Sequence, residues 1–69
     1  MFVKVTLLPQ QNDVQKIEIK AGATGEDLLE KLNLPFDAHI ITRKNSPIPL
    51  DEELKDQDEI GVIRVVSGG

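Results

Sequence analysis

The chain has no cysteine, no tryptophan and no tyrosine, and a single histidine among 69 residues. Without cysteine there can be no disulfide, no thiolate metal site and no thiol nucleophile. One histidine with scattered carboxylates is a poor ligand set, so no metal site and no catalytic residue is expected. Long apolar runs are also missing, and the longest fall far short of the ~18–20 residues that a membrane helix needs. Met1-Phe2-Val3-Lys4 opens straight onto a strand pattern and leaves no room for a signal peptide. These absences lead to the expectation of a soluble, cytoplasmic monomer with no membrane partner. Basic residues are outnumbered too: eight Lys and Arg stand against twelve Asp and Glu, for a net charge of −4. A nucleic-acid binder draws much of its affinity from a basic patch, so direct nucleic-acid binding is argued against.

What is present is enough apolar residue, 39 % of the chain, to attempt one small core. "FVKVTLL" alternates, with Val3, Val5 and Leu7 on one face and Lys4 and Thr6 on the other, the pattern of a half-buried strand. Pro9 ends it, "QQNDV" turns, and "VQKIEIK" alternates again with Ile17 and Ile19 inward, which makes a hairpin. The period then changes. Thr24 is a helix cap with Asp27 three residues on in the place of the usual Glu of a capping box. Leu28, Leu29 and Leu32 supply one apolar stripe, and Asn33 and Pro35 stop the helix. "AHIITRK" is a third strand, with Ile40 and Thr42 on one face and His39, Ile41 and Arg43 on the other. "NSPIPL" turns and runs briefly extended, because its prolines cannot serve in a central ladder. "LDEELKDQDE" is an acidic connection with room for one helical turn around Leu54, and "IGVIRVV" is the last strand.

A hairpin followed by a crossover helix predicts an α+β fold, with a mixed four- to five-stranded sheet and one helix packed on one face. Placing the last strand parallel to the first, in the middle of the sheet, makes it a β-grasp. The inward phase of each element gives an expected core of Val3, Val5, Leu7, Ile17, Ile19, Leu28, Leu29, Leu32, Ile40, Leu50, Ile60 and Val62. The same alternation leaves Ile41, Ile63 and Val65 on the face away from the helix. Three apolar residues on adjacent strands would form a patch of the kind that marks a partner.

Two features stand outside this scheme. Six of the twelve acids fall between Asp51 and Glu59, relieved only by Lys55; they form either a solvated loop or a steering surface for a basic partner. The chain also ends on Gly68 and Gly69, residues that resist being fixed in one conformation and add nothing obvious to a fold. Residues 1–66 therefore read as the domain and 67–69 as a flexible tail.

The order of elements and the ending "DQDEIGVIRVVSGG" resemble the ubiquitin-like β-grasp sulfur carriers of the ThiS/MoaD type and the small archaeal modifier proteins. The resemblance implies that the chain is a carrier, not an enzyme. An activating enzyme would use ATP and magnesium to adenylate the carboxylate of Gly69, with neither cofactor held by the chain itself. The acyl group would pass to sulfur, giving a thiocarboxylate, or to a lysine amine, giving an isopeptide. Ile41, Ile63, Val65, Val66 and Ser67 would bind the partner, the first three as a docking face, and the tail would thread a narrow channel of the enzyme. The implied partners are the activating enzyme, a sulfur donor and an acceptor enzyme similar to thiazole synthase. Val65-Val66-Ser67 departs from the aromatic and proline residues common before the Gly-Gly of molybdopterin carriers, which favours a thiamine-type or tRNA-thiolation role. An inert β-grasp interaction module is the rival reading.

Overall fold

The computed structural model of the chain describes residues 1–8 and 14–65. Strand β1 (Phe2–Leu8) pairs antiparallel with β2 (Val14–Glu18), as two alternating runs joined by a short connection must. Helix α1 (Gly25–Lys31) opens on the capping box: the Thr24 hydroxyl accepts from the Asp27 N–H at 3.4 Å, and the Asp27 carboxylate accepts from the Thr24 N–H at 2.9 Å. It closes with Asn33 in the left-handed region at φ 63°. There the Leu34 N–H donates to the Leu29 carbonyl and the Asn33 N–H to the Glu30 carbonyl, the paired bonds of a Schellman motif.

A single 3-10 turn (Phe36–Ala38) leads into β3 (His39–Arg43), which forms a hairpin with the short β4 (Ser46–Ile48). Lys44 and Asn45, the two residues between these strands, both take positive φ, as a tight two-residue hairpin requires. Strand β5 (Glu59–Arg64) then runs parallel to β1 and antiparallel to β3. The sheet order is β2-β1-β5-β3-β4, so the last strand holds the centre, as expected.

The core lies between the sheet and α1. Val3, Val5, Ile60 and Val62 face Leu28 and Leu29, with Ile19 and Ala23 closing one side, while Ile17, Leu32 and Leu50 pack half-buried at its margin. Three expectations need correction. Ile41, expected on the outer face, is fully buried, and Ile40, expected inside, is 40 % exposed. Alternation separates the two isoleucines but cannot say which faces the helix, since each face of β3 carries one. The ladder decides it: Ile41 pairs with the inward Val62, and paired residues share a face. Gly25 opens the space for it, because a Cβ there would collide with Ile41 Cδ1.

Leu7 keeps the inward phase, opposite Val62, yet it is 40 % exposed and stands outside the packed cluster. The acidic connection contains no helical turn. Its Leu54 is instead 1 % exposed, with its N–H donating to the Ala23 carbonyl at 2.8 Å, and it plugs the core beside the helix N-terminus. A lone leucine in a run of charge has no periodicity to announce this role.

Candidate functional site: the outer sheet face and the end of the last strand

The outer face is built in rows across the three central strands. Thr6, Gly61 and Thr42 form one row, and Leu8, Ile63 and Ile40 the next, toward the end of β5. Gly61 is required here: Thr42 is buried over it, and a Cβ on Gly61 would stand 2.5 Å from Thr42 Oγ1 and 3.3 Å from Leu8 Cδ1. Ile63 thus takes the outer position expected of it, half-buried, but its neighbours are Ile40 and Leu8 rather than Ile41. The doubled Leu7-Leu8 at the end of β1 was the sequence signal for Leu8, since one of two adjacent residues in a strand must face outward.

Val65 follows β5 directly, half-buried, with its N–H donating to the Ala38 carbonyl at 2.8 Å. This bond ties the exit of the last strand to the turn before β3. Val66, Ser67, Gly68 and Gly69, the residues expected to enter a partner's channel, lie outside the described residues, as does the expected domain boundary. Beside Val65, Arg64 pairs with His39 across the ladder, and His39 Nδ1 sits 2.9 Å from the Pro35 carbonyl oxygen.

The acidic run is at the opposite end of β5, and part of it is bound internally. Arg43, on the inward phase of β3, donates to the Asp58 carboxylate at 2.9 Å, to the Glu53 carbonyl at 2.9 Å and to the Glu52 carboxylate at 3.3 Å. Asp58 also accepts from the Lys55 N–H, and Asp56 accepts from the Phe2 N–H at 2.9 Å. That N–H holds the Asp56 carboxyl below the ordinary carboxylate range. Asp51, Glu53 and Glu59 point their charge to solvent. The run therefore serves first as a laced approach to β5, and only its outer acids are available to steer a partner. Sequence reading missed Arg43 as the clamp, because its partners lie 9–15 residues away.

No nucleophile–base pair occurs among the described residues, and no group of three metal-ligating side chains is placed to hold an ion there. None of the described helices is long and apolar enough to cross a membrane.

A mixed sheet of this order, with one helix across it, defines the ubiquitin-like β-grasp class. The sequence model of the ThiS family matches residues 5–69, and the chain belongs to that family, whose members are small carrier or modifier proteins rather than catalysts. Among solved structures, SAMP1 from Haloferax volcanii superposes with a TM-score of 0.74 at 18 % identity, covering the whole of both chains. The ubiquitin of Caldiarchaeum subterraneum superposes with a TM-score of 0.72 at 20 % identity, covering all of this chain and 98 % of its own. An Archaeoglobus fulgidus protein described as uncharacterized is 29 % identical over 58 residues, 83 % of this chain and 85 % of its own length.

Proposed function

We propose that the chain is a ubiquitin-like sulfur carrier whose reactive group is the carboxylate of Gly69. The observation that carries this reading is that the ThiS-family match extends to residue 69 and so takes in Gly68 and Gly69. The chemistry accounts for the residue type. A carboxylate is a poor electrophile at neutral pH, so a partner enzyme must first attach it to the α-phosphate of ATP, releasing pyrophosphate. A sulfur donor at the sulfide level then attacks the acyl carbon, AMP leaves, and a thiocarboxylate remains. Residues without a Cβ let the partner's backbone and the incoming sulfur come close to that carbonyl.

In this reading the β-grasp domain is the handle. The outer face carries Leu8, Ile40 and Ile63 as an apolar docking surface for the activating enzyme, and Val65 follows the last strand ahead of the residues that would enter that enzyme's channel. ATP and magnesium belong to the enzyme. The sulfur would go to a thiamine-type or tRNA-thiolation acceptor. Mass spectrometry of the protein taken from its native cell tests the reading. A mass gain equal to one sulfur replacing one oxygen at the C-terminus is the expected result. Isopeptide adducts on protein lysines without that gain would make it a modifier, and neither species would leave an interaction module.

A further inference from the structure

The end of the sheet where β5 finishes carries a second surface, which meets the outer face at Leu8. A cleft of about 470 Å³ opens there on the helix side, walled by Leu7, Leu34, Pro35 and Ala38, with His39 and Arg64 at its rim. Leu34 and Pro35 also form the wall of an adjoining hollow that holds Phe36 and Glu30. Leu7 and Phe36, at 40 % and 42 % exposure, are thus not scattered apolar residues but parts of one strip beside the end of β5.

The protein carries a net −4, and half its acids lie between Asp51 and Glu59, at the far end of β5. Among the described residues no carboxylate lines the cleft itself, and its ionisable side chains are Arg64 and His39. Arg64 is exposed and makes no ion pair among the described residues. Two acids stand nearby without lining it: Glu30 in the adjoining hollow, and the exposed Asp37 in the turn between Phe36 and Ala38. The volume falls in the range of roughly 300–1,000 Å³ typical of ligand clefts, room for a few side chains and not for a domain.

We infer that this cleft receives an apolar segment of the activating enzyme carrying one carboxylate side chain. The inference rests on the carrier reading above. The carboxylate stands against Arg64, and the apolar side chains lie over Leu7, Leu34 and Pro35 as far as Phe36, whose hollow Glu30 shares. Two contacts at the end of β5, the outer face on one side and this cleft on the other, would fix the orientation of the domain on the enzyme more closely than one. Positioning of that kind matters because a misplacement of about 1 Å can cost on the order of 100-fold in rate.

The test is titration calorimetry of the intact chain with the activating enzyme from the same organism, at low and physiological salt, alongside pyrophosphate exchange. Arg64→Glu should raise Kd at least about tenfold and abolish or invert its salt dependence, since a charge-assisted contact becomes a repulsion. Leu7→Asp should weaken binding comparably; if it does not fold, Phe36→Asp on the exposed turn takes its place. Binding within twofold of the intact chain by Arg64→Glu, or by the folded apolar variant, overturns the inference while the carrier reading stands. If the intact chain neither binds nor supports exchange, the carrier reading fails and takes this inference with it.

Discussion

The reversal of β3 that puts Ile41 inside can be tested by a double-mutant cycle between Gly25 and Ile41. Gly25 is the first residue of α1, and a Cβ added there would meet Ile41 Cδ1 and lie 3.1 Å from the Leu50 carbonyl oxygen. Gly25→Ala alone therefore overpacks a site whose neighbour is fully buried, at a cost of roughly 1–3 kcal/mol. Against this stands the ordinary benefit of alanine over glycine in a helix, up to about 1 kcal/mol. The net expectation is a loss of about 1–2 kcal/mol. For a 69-residue domain the whole stability is of order 3–10 kcal/mol, so the loss is easily seen. With a urea dependence near 1 kcal/mol per molar, the midpoint should fall by about 1–2 M.

Ile41→Val removes the very methyl that the new Cβ would strike, and by itself costs about 0.5–1.5 kcal/mol. In that background Gly25→Ala should become nearly neutral, leaving only the close approach to the Leu50 carbonyl. The coupling between the two sites is then about 1–2 kcal/mol, within the range seen for residues in contact. Urea denaturation of the four proteins measures it. Additivity to within about 0.5 kcal/mol would show that Ile41 does not stand over Gly25, and the phase of β3 would have to be turned back.

Leu54→Ala should cost roughly 2–5 kcal/mol in denaturant melts, because a fully buried leucine leaves a cavity in the core; a change below about 0.5 kcal/mol would place Leu54 on the acidic surface with its neighbours. Ile63→Asp should leave the thermal midpoint nearly unchanged, since its side chain faces away from α1, while weakening binding to the activating enzyme in calorimetry; lost stability with unchanged binding would contradict the outer-face assignment. The carboxyls of Asp27 and Asp56 are held low by the Thr24 and Phe2 N–H groups respectively. Folded-state values below the unfolded value mean that their contribution is complete above about pH 4 and is lost as the pH falls through the depressed values. Urea midpoints should accordingly drop on acidification below that point, and Asp27→Asn with Asp56→Asn should flatten the slope; an unaltered slope would refute the two bonds.

Most of the fold could be read from alternation and capping chemistry. Thr24 and Asp27 through their side chains, and Asn33 through its left-handed backbone, bracket the helix with short-range bonds that need no tertiary context. The central position of β5 followed from the need to return a crossover into the sheet. What failed were choices that only long-range partners make. Ile40 and Ile41 are equivalent until the ladder pairs one with Val62, and Leu54 reads as loop until Ala23 receives its N–H. Arg43 is an ordinary strand charge in the sequence, and its role depends on a turn that folds back from Glu52 to Asp58. Alternation therefore puts Ile63 on the outer face of β5, where it lies, and Ile41 on the outer face of β3, where Ile40 stands instead. The cleft at Arg64 had no local signature, since its walls come from β1, the segment after α1, and β5.

The central claim is that the folded domain exists to present the carboxylate of Gly69, and pyrophosphate exchange with the cognate activating enzyme and ATP tests it most directly. Removing Gly69 shortens the chain by one residue, about 3.3–3.6 Å when extended. Reacting atoms must come within about 3–3.5 Å in good alignment, so the shortened carboxylate falls out of reach of the α-phosphate. The account predicts that exchange is lost while the melting temperature stays within error of the intact protein. Exchange by the shortened chain as fast as by the intact one would contradict it, and the Gly-Gly end would then have no part in the chemistry.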